Sequence, residues 1–478
     1  MSGSIWRRLL KDSAVYGGAD FVSKLLSFVF FPFIARYISV AEFGAMELIF
    51  TAVGLLGLFV NVGLNNAVQR FYWDKDTVDS ERPLIVSSAL FVQLLAGLVV
   101  ATLGTLLVFL YDSVYGWAGE QFDASVLIYA LVFMAFSQWI QFALDVVRLH
   151  FKPWRFFALS LLSRVCGLLL AAWLVIEAGA KLDGIIGAQA LVTVLVFPLA
   201  LILICKDLVL NFSRAWIKTL VSYGYPYIFA AFAYWIFGAI DRWMLASMAT
   251  VEEVGIYSVA FRFSSIVLFV SMAFGQAWSP VAMKIRTENP EQYRRVFANV
   301  LLILFMGIAL IGGGLSLFSG EVISLLLPVA YQESAAVLIP LCLGVVLQAT
   351  QQVTAIGISI ERRSHLIAKI SWCAVVVNVL ANLVLIPKFG AQGAAWGTAL
   401  TYLFITATYL AFTQYLHPLE ISWKRLIVVG LTVVGLFAVA LLMRQPELQF
   451  SIFVLKSFVL VAFCCAGAYI LPFRKVFS

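Results

Sequence analysis

This sequence is short of charge. Asp, Glu, Lys and Arg make up only 12% of it, about half the share a soluble domain carries. No long polar segment interrupts it, which excludes a large soluble domain. Enzyme signatures are missing too: there is no Walker loop, no HExxH and no glycine fingerprint in a strand–helix context. ATP therefore has no recognisable place to bind, and the reading is of a non-enzyme. Gly312–Gly314 is a packing or kink site in an apolar run, not a phosphate loop. The three histidines, His150, His365 and His417, sit at separate helix ends. That scatter excludes a histidine metal site. The six cysteines lie in or beside apolar runs without metal-ligand spacing, and the adjacent Cys464 and Cys465 read as packing residues. No metal and no organic cofactor are expected. Nor is there a continuous basic patch, so the net charge of +7 does not point to nucleic acid.

What is present is apolar length. Hydrophobic residues make up 63% of the chain, and runs of about 20 recur along nearly all of it, the length a helix needs to cross a bilayer. The expected fold is an all-α polytopic membrane protein. About fourteen spans are predicted, at 14–37, 45–68, 84–110, 125–149, 156–177, 184–205, 220–248, 254–280, 297–319, 333–360, 365–387, 391–416, 421–443 and 449–472. The basic amphipathic start, MSGSIWRRLLKDS, leads into a run that lacks a small-residue cleavage site and contains Lys24. It reads as a retained first helix, not a cleaved signal. With the N-terminus inside, twenty-three Lys and Arg residues fall on the inner side, four on the outer side and five within the spans. Such a bias sets orientation and places both termini in the cytoplasm.

The chain also repeats itself. ARYISVAEFGAMELIF (Ala35–Phe50) aligns without gaps with ASMATVEEVGIYSVAF (Ala246–Phe261), a shift of 211. GIIGAQ (Gly184–Gln189) echoes GAQGAA (Gly390–Ala395), a shift of 206. Both shifts equal six spans. An even number preserves orientation, so the expected halves are parallel repeats about a pseudo-twofold axis along the membrane normal. The predicted division is an N-lobe at 1–210, a C-lobe at 211–416 and two further helices at 417–478. Transporters built this way commonly hold substrate near the midplane between repeats.

Polar residues within the spans are the candidates for function, because lipid cannot satisfy them. Arg262 lies about eight residues into its span, with no acid three or four positions away. Arg164 has none locally either. Lys24 shares a helical face with Asp20, an i,i+4 spacing that also suits a structural bridge. Arg242 follows Asp241 in the outer third of the seventh span, where a salt bridge or a gate is as natural as substrate contact. Lys456 reads as a snorkelling residue. Asn61, Asn65, Gln276, Gln348 and Asn378 are candidate cavity linings, with hydrogen bonding between helices as the plainer reading. Asp20, Asp145 and Asp241 are the candidates for linkage to protons or sodium ions. Cations in excess of carboxylates inside the spans suit an anionic ligand such as phosphate or pyrophosphate.

Five stretches carry a family resemblance: AEFGAMELIF, GLNNAVQRFY, SYGYPYIFAAFAYWIFGAIDRWMLASMATVEEVGIYSVAFRF, LLLPVAY and NLVLIPKFGAQGAAWGTAL. In this order and spacing the chain resembles the Wzx-like polysaccharide biosynthesis flippases of the multidrug/oligosaccharidyl-lipid/polysaccharide transporter superfamily. The resemblance implies a two-lobed transporter of fourteen helices working by alternating access in the bacterial cytoplasmic membrane. Its implied substrate is an oligosaccharide on an undecaprenyl-pyrophosphate-type lipid, moved from the inner to the outer leaflet for O-antigen, capsule or exopolysaccharide. Implied partners are membrane lipids, and a polysaccharide polymerase and glycosyltransferases of the same pathway. Cations on the first, second, seventh and eighth helices face the cavity in that family. Lys24 and Arg262 match by position, Arg70 falls at the inner mouth and Arg242 nearer the outer one. No family motif covers Arg164. The alternatives are a drug/cation antiporter of the same superfamily, which should favour carboxylates, and a non-transporting membrane subunit of a polysaccharide synthase complex. A membrane glycosyltransferase is disfavoured by short outer loops without paired carboxylates.

Overall fold

The computed structural model describes residues 18, 22–23, 25–115, 123–361, 363–444 and 449–471. These form helices α1 Leu25–Ile34, α2 Val40–Asn61, α3 Leu64–Tyr72, α4 Arg82–Tyr115, α5 Ala124–Leu149, α6 Pro153–Ile176, α7 Leu182–Ile204 and α8 Arg214–Met248. They continue with α9 Val251–Glu288, α10 Tyr293–Leu317, α11 Ser319–Leu326, α12 Ser334–Thr354, α13 Ile356–Ile360, α14 Ser364–Leu416, α15 Trp423–Leu442 and α16 Phe450–Ile470. No strand occurs among the described residues.

Twelve of the helical segments are long and apolar enough to cross a membrane. One, α14, has 53 residues and would run about 80 Å if straight, against a hydrocarbon core of about 30 Å. It is broken at Gly390 (φ 54°, ψ −131°), so it supplies two crossings. With α1, the count agrees with the fourteen predicted spans. The predicted second span, 45–68, is not one helix. Val62 (φ 51°) and Gly63 (φ 70°) turn left-handed between α2 and α3. Gly63 is required there on two grounds: its φ, and a Cβ that would stand 2.1 Å from the Gly224 carbonyl oxygen.

The chain divides into two compact units, Met1–Ala239 and Ile240–Ser478, with the division inside α8. In the first unit, α5 packs on α4 and α7, and α6 on α7. Phe142, Ile140, Leu159 and Val196 belong to the core they share. In the second, α12 is the axis, buried against α9, α10 and α14. By contrast α16 buries only Lys456 and Gly467.

Each unit builds the repeated motif in the same way. In the first, the Ser39 hydroxyl accepts the Glu42 N–H at 3.1 Å, and Glu42 returns to the Ser39 N–H at 2.8 Å, a capping box. In the second, the Thr250 hydroxyl accepts the Glu253 N–H at 3.2 Å. The two acids also reach matching places. Glu42 pairs with Lys181 at 3.2 Å, and Glu253 accepts the Ala391 N–H at 2.7 Å. Positions 181 and 391 differ by 210, so the repeat read from sequence is a repeated cap and a repeated tie.

Candidate functional site

Sequence placed Asn65 among cavity linings and Asp145 among ion-linked carboxylates. The first unit joins them directly. Both are buried, and Asn65 Nδ2 donates to Asp145 Oδ2 at 2.7 Å. Gln93 Nε2 donates to Asn65 Oδ1 at 2.7 Å, and also to the Asn61 carbonyl at 3.4 Å. Gln141 Nε2 reaches Asp145 Oδ1 at 3.4 Å, and Arg148 stands 3.5 Å from that oxygen. The result is an amide-bridged carboxylate with a cation one turn away on its own helix. Gln93 was missed by sequence reading. Its signal is weak: one amide in a long apolar run, with no periodic partner.

Arg70, at the end of α3, is ion-paired to Asp74 at 2.5 Å with its side chain half exposed. Arg164 projects from α6 and is exposed. Lys24 and Asp20 lie outside the described residues.

The second unit builds a different site around Asp241, which is 6% exposed. Three neutral groups donate to its carboxylate: Tyr257 Oη at 2.7 Å, Thr398 Oγ1 at 2.8 Å and Asn382 Nδ2 at 2.6 Å. Asn378 is buried beside them and accepts from Asn382 at 3.2 Å. The other Asn382 oxygen-side position, Oδ1, is buried without a hydrogen-bond partner among the described residues. Arg242 is the next residue on α8. Its Nε donates to Ser258 Oγ at 3.0 Å, and its guanidinium lies 4.9 Å from the Phe261 ring centroid and 5.9 Å from that of Tyr257. Arg242 is 7% exposed, so its charge is held inside the unit.

Helix geometry explains this grouping. α8 ends at Met248 and α9 begins at Val251, so the chain doubles back in one short turn. Asp241 and Tyr257 lie seven and six residues from the two ends, both about 10 Å from the turn. Arg242 and Ser258 match in the same manner. Tyr257 is therefore a functional neighbour that hairpin depth could have identified. Thr398 could not have been, because its placement depends on how α14 packs.

Arg262 lies five residues further along α9 and is half-buried. Gln276, near the other end of α9, is exposed, and Gln348 on α12 is half-buried. Lys456 corrects an expectation. It does not snorkel: it is fully buried, and its Nζ stands 2.5 Å from Glu321 Oε1, itself on a side chain 5% exposed. Nothing in the α16 sequence said which face would pack, and Glu321 supplies the reason why this one does. Among the described residues no group of His, Cys, Asp and Glu could hold a metal ion.

Comparison with known proteins places this architecture. The profile of a family described as polysaccharide biosynthesis protein matches residues 9–286, more than half of the chain. The chain belongs to that family. A curated relative from Haloferax volcanii, named "Probable low-salt glycan biosynthesis flippase Agl15", is 20% identical over 403 residues, covering 84% of this chain and 82% of its own. Among solved structures, the lipid II flippase MurJ in an inward closed conformation superposes with a TM-score of 0.73 at 15% identity, covering 97% of this chain and 99% of its own. An inward-facing multidrug resistance MATE family transporter of the MOP superfamily gives a TM-score of 0.60 at 16% identity, covering 84% of this chain and 94% of its own. The structural likenesses establish the fold: this chain shares the polytopic, all-helical architecture of those two proteins.

Proposed function

We propose that this chain is a flippase for a lipid-linked glycan. In its finer form, the substrate is an oligosaccharide on an undecaprenyl-pyrophosphate-type lipid. It moves from the inner to the outer leaflet of a bacterial cytoplasmic membrane by alternating access, with both termini cytoplasmic. One observation carries the reading: the family match over residues 9–286, extended by a relative named as a glycan biosynthesis flippase that aligns over 84% of the chain. The cations within the spans support an anionic head group. We assign Arg262, Arg164 and Lys24 to the pyrophosphate and Arg70 to its entry from the basic end. Arg242, enclosed by Ser258 and two aromatic rings, contributes positive potential without direct contact. Partners in this reading are membrane lipids, a polysaccharide polymerase and glycosyltransferases.

Ion linkage belongs to Asp241 in this reading, with Asp145 and Asp20 secondary. Tyr257, Thr398 and Asn382, which donate to it, are neutral and come from two other helices, so a proton or a sodium ion arriving there would act on all three. At Asp145, Arg148 already offsets the charge. A second reading, drug/cation antiport, is favoured by the MATE-like fold and these same buried carboxylates. It makes the opposite demand of the cations, which would then repel substrate.

Arg262→Ala and Lys24→Ala should each abolish surface polysaccharide while the protein still inserts, as checked by membrane fractionation. Arg262→Lys should retain part of the activity, since charge survives and the bidentate fork does not. Normal export from the double alanine variant would overturn the head-group assignment and favour a non-transporting subunit.

A further inference from the structure

The basic ends of the two units hold a relation that hydropathy does not reveal. In the first unit, His150 caps the end of α5, and Asp207 closes a single 3-10 turn, Cys205–Asp207, after α7. The His150 Nε2–H donates to Asp207 Oδ2 at 2.7 Å. Tyr72, the last residue of α3, donates to Asp207 Oδ1 at 2.8 Å, and its hydroxyl lies 3.3 Å from His150 Nε2. In the second unit, Glu361 caps α13 and His417 caps α14. The His417 Nδ1–H donates to Glu361 Oε1 at 3.0 Å, and Tyr293 Oη bonds His417 Nε2 at 2.9 Å.

The positions correspond. From His150 to Glu361 is 211 residues, and from Asp207 to His417 is 210, the spacing of the repeated outer caps. The residue types have changed places: His then Asp in one unit, Glu then His in the other. Independent drift at two positions would scatter the chemistry. An imidazole facing a carboxylate in both units, with the roles reversed, indicates that the pairing is what the scaffold requires. An arginine attends each cluster as well. Arg82, at the start of α4, donates to the Tyr72 carbonyl at 3.0 Å, and Arg294, at the start of α10, donates to Tyr293 Oη at 3.3 Å. These two differ by 212.

We propose that the two clusters are a duplicated proton-binding clamp, in which one imidazole–carboxylate pair per unit ties together the helix ends at the basic side. Protonation makes the imidazole a cation facing the carboxylate; loss of that proton leaves a neutral donor. Each clamp is therefore tighter in acid than in alkali, until the carboxylate itself is protonated. The groups facing His150 are Asp207 and Tyr72, with Arg82 and Asp79 behind the tyrosine and paired at 2.9 Å. Those facing His417 are Glu361 and Tyr293, with Arg294 behind the tyrosine. Burial, and then the Asp207 carboxylate, push the Tyr72 hydroxyl above its usual range, so it remains a donor throughout. This inference does not depend on the flippase reading.

Partner exchange tests it, by backbone amide exchange of the full chain in lipid nanodiscs at an acidic and an alkaline pH. His150→Gln and Asp207→Asn should each speed exchange at the α5 and α7 ends about tenfold, the effect of losing a hydrogen bond to a charged group. Each should also lose the excess opening at alkaline pH. The exchanged pair, His150→Asp with Asp207→His, should return within about twofold of the parent and recover the pH dependence. An exchanged pair as open as the single variants would overturn the proposal, as would single variants as closed as the parent. Should the first-unit variants fail to fold, Glu361→Gln and the exchange Glu361→His with His417→Glu put the same question to the second unit, where Glu361 is 42% exposed.

Discussion

The two units repeat a scaffold but treat a buried carboxylate in opposite ways. Asp145 sits one turn from Arg148 on its own helix and takes two amide donors. Asp241 takes three neutral donors, one from α9 and two from α14, while the arginine next to it in sequence faces Ser258. The first arrangement is charge-compensated locally and reads as scaffold. The second ties two helices to a third through one buried carboxylate. Binding a cation there would alter the attraction that holds α8, α9 and α14 together. The two units share caps and ties, and the polar groups inside them differ.

The largest expected break in this comparison lies in the second unit at α16. Lys456→Ala leaves the Glu321 carboxylate buried without its cation and should cost about 3–5 kcal/mol of stability. Replacing both, Lys456→Met with Glu321→Gln, should recover most of it. Thermal unfolding in detergent measures the difference, and a loss no larger for the single variant than for the pair would refute the buried-pair account.

Next come the two carboxylates. Asp241→Ala strands three donors and should destabilise by about 2–3 kcal/mol. Asp145→Ala frees two amides and a partly exposed arginine, and should cost about 1–2 kcal/mol. Asp241→Asn should also remove the dependence of transport on an ion gradient, whereas Asp145→Asn should leave it. If both variants keep that dependence, or lose it alike, the contrast between units has no functional meaning.

Glycines sharpen it further. Gly63→Ala meets the Gly224 backbone at a positive φ, and nothing there can move aside. Gly390→Ala is strained by its φ as well, but its nearest contact is the end of the Glu253 side chain. Denaturant unfolding should place the first at about 3 kcal/mol and the second at about 1–2 kcal/mol.

The smallest effect concerns the clamp. Tyr72→Phe should cost about 1 kcal/mol near neutral pH. Because folding raises the ionisation range of Tyr72, the folded state retains a proton that the unfolded chain releases above about pH 10. The stabilisation is thus fully present below that pH and declines as pH climbs past it. A cost that grows with alkalinity would contradict the assignment of donor and acceptor.

Much of the fold was legible because a bilayer forces backbone groups into helices and basic residues to one side. The repeat could be read at Ala35–Phe50 because its glycine, glutamate and capping hydroxyl recur in register. The break at Val62–Gly63 was hidden, since the close approach that demands glycine there comes from Gly224, more than a hundred and fifty residues away. Asn65 and Asp145 stood out singly as polar residues in apolar runs, and Gln93 did not stand out at all. Their bonding could not be inferred, because periodicity gives a helix face and says nothing of what packs on it. Lys456 misled for that reason: a lone lysine near a helix end has the same sequence signature whether it reaches for water or for a buried acid.

Flipping itself is the most direct measurement. The purified chain, reconstituted into vesicles with a polyprenyl-pyrophosphate-linked oligosaccharide in the starting leaflet, is followed with a probe confined to the opposite side. The account predicts protein-dependent appearance of the glycan there, lost in Arg262→Ala. Appearance no faster than in protein-free vesicles, from protein that instead exchanges cationic drugs for protons or sodium ions, would contradict it.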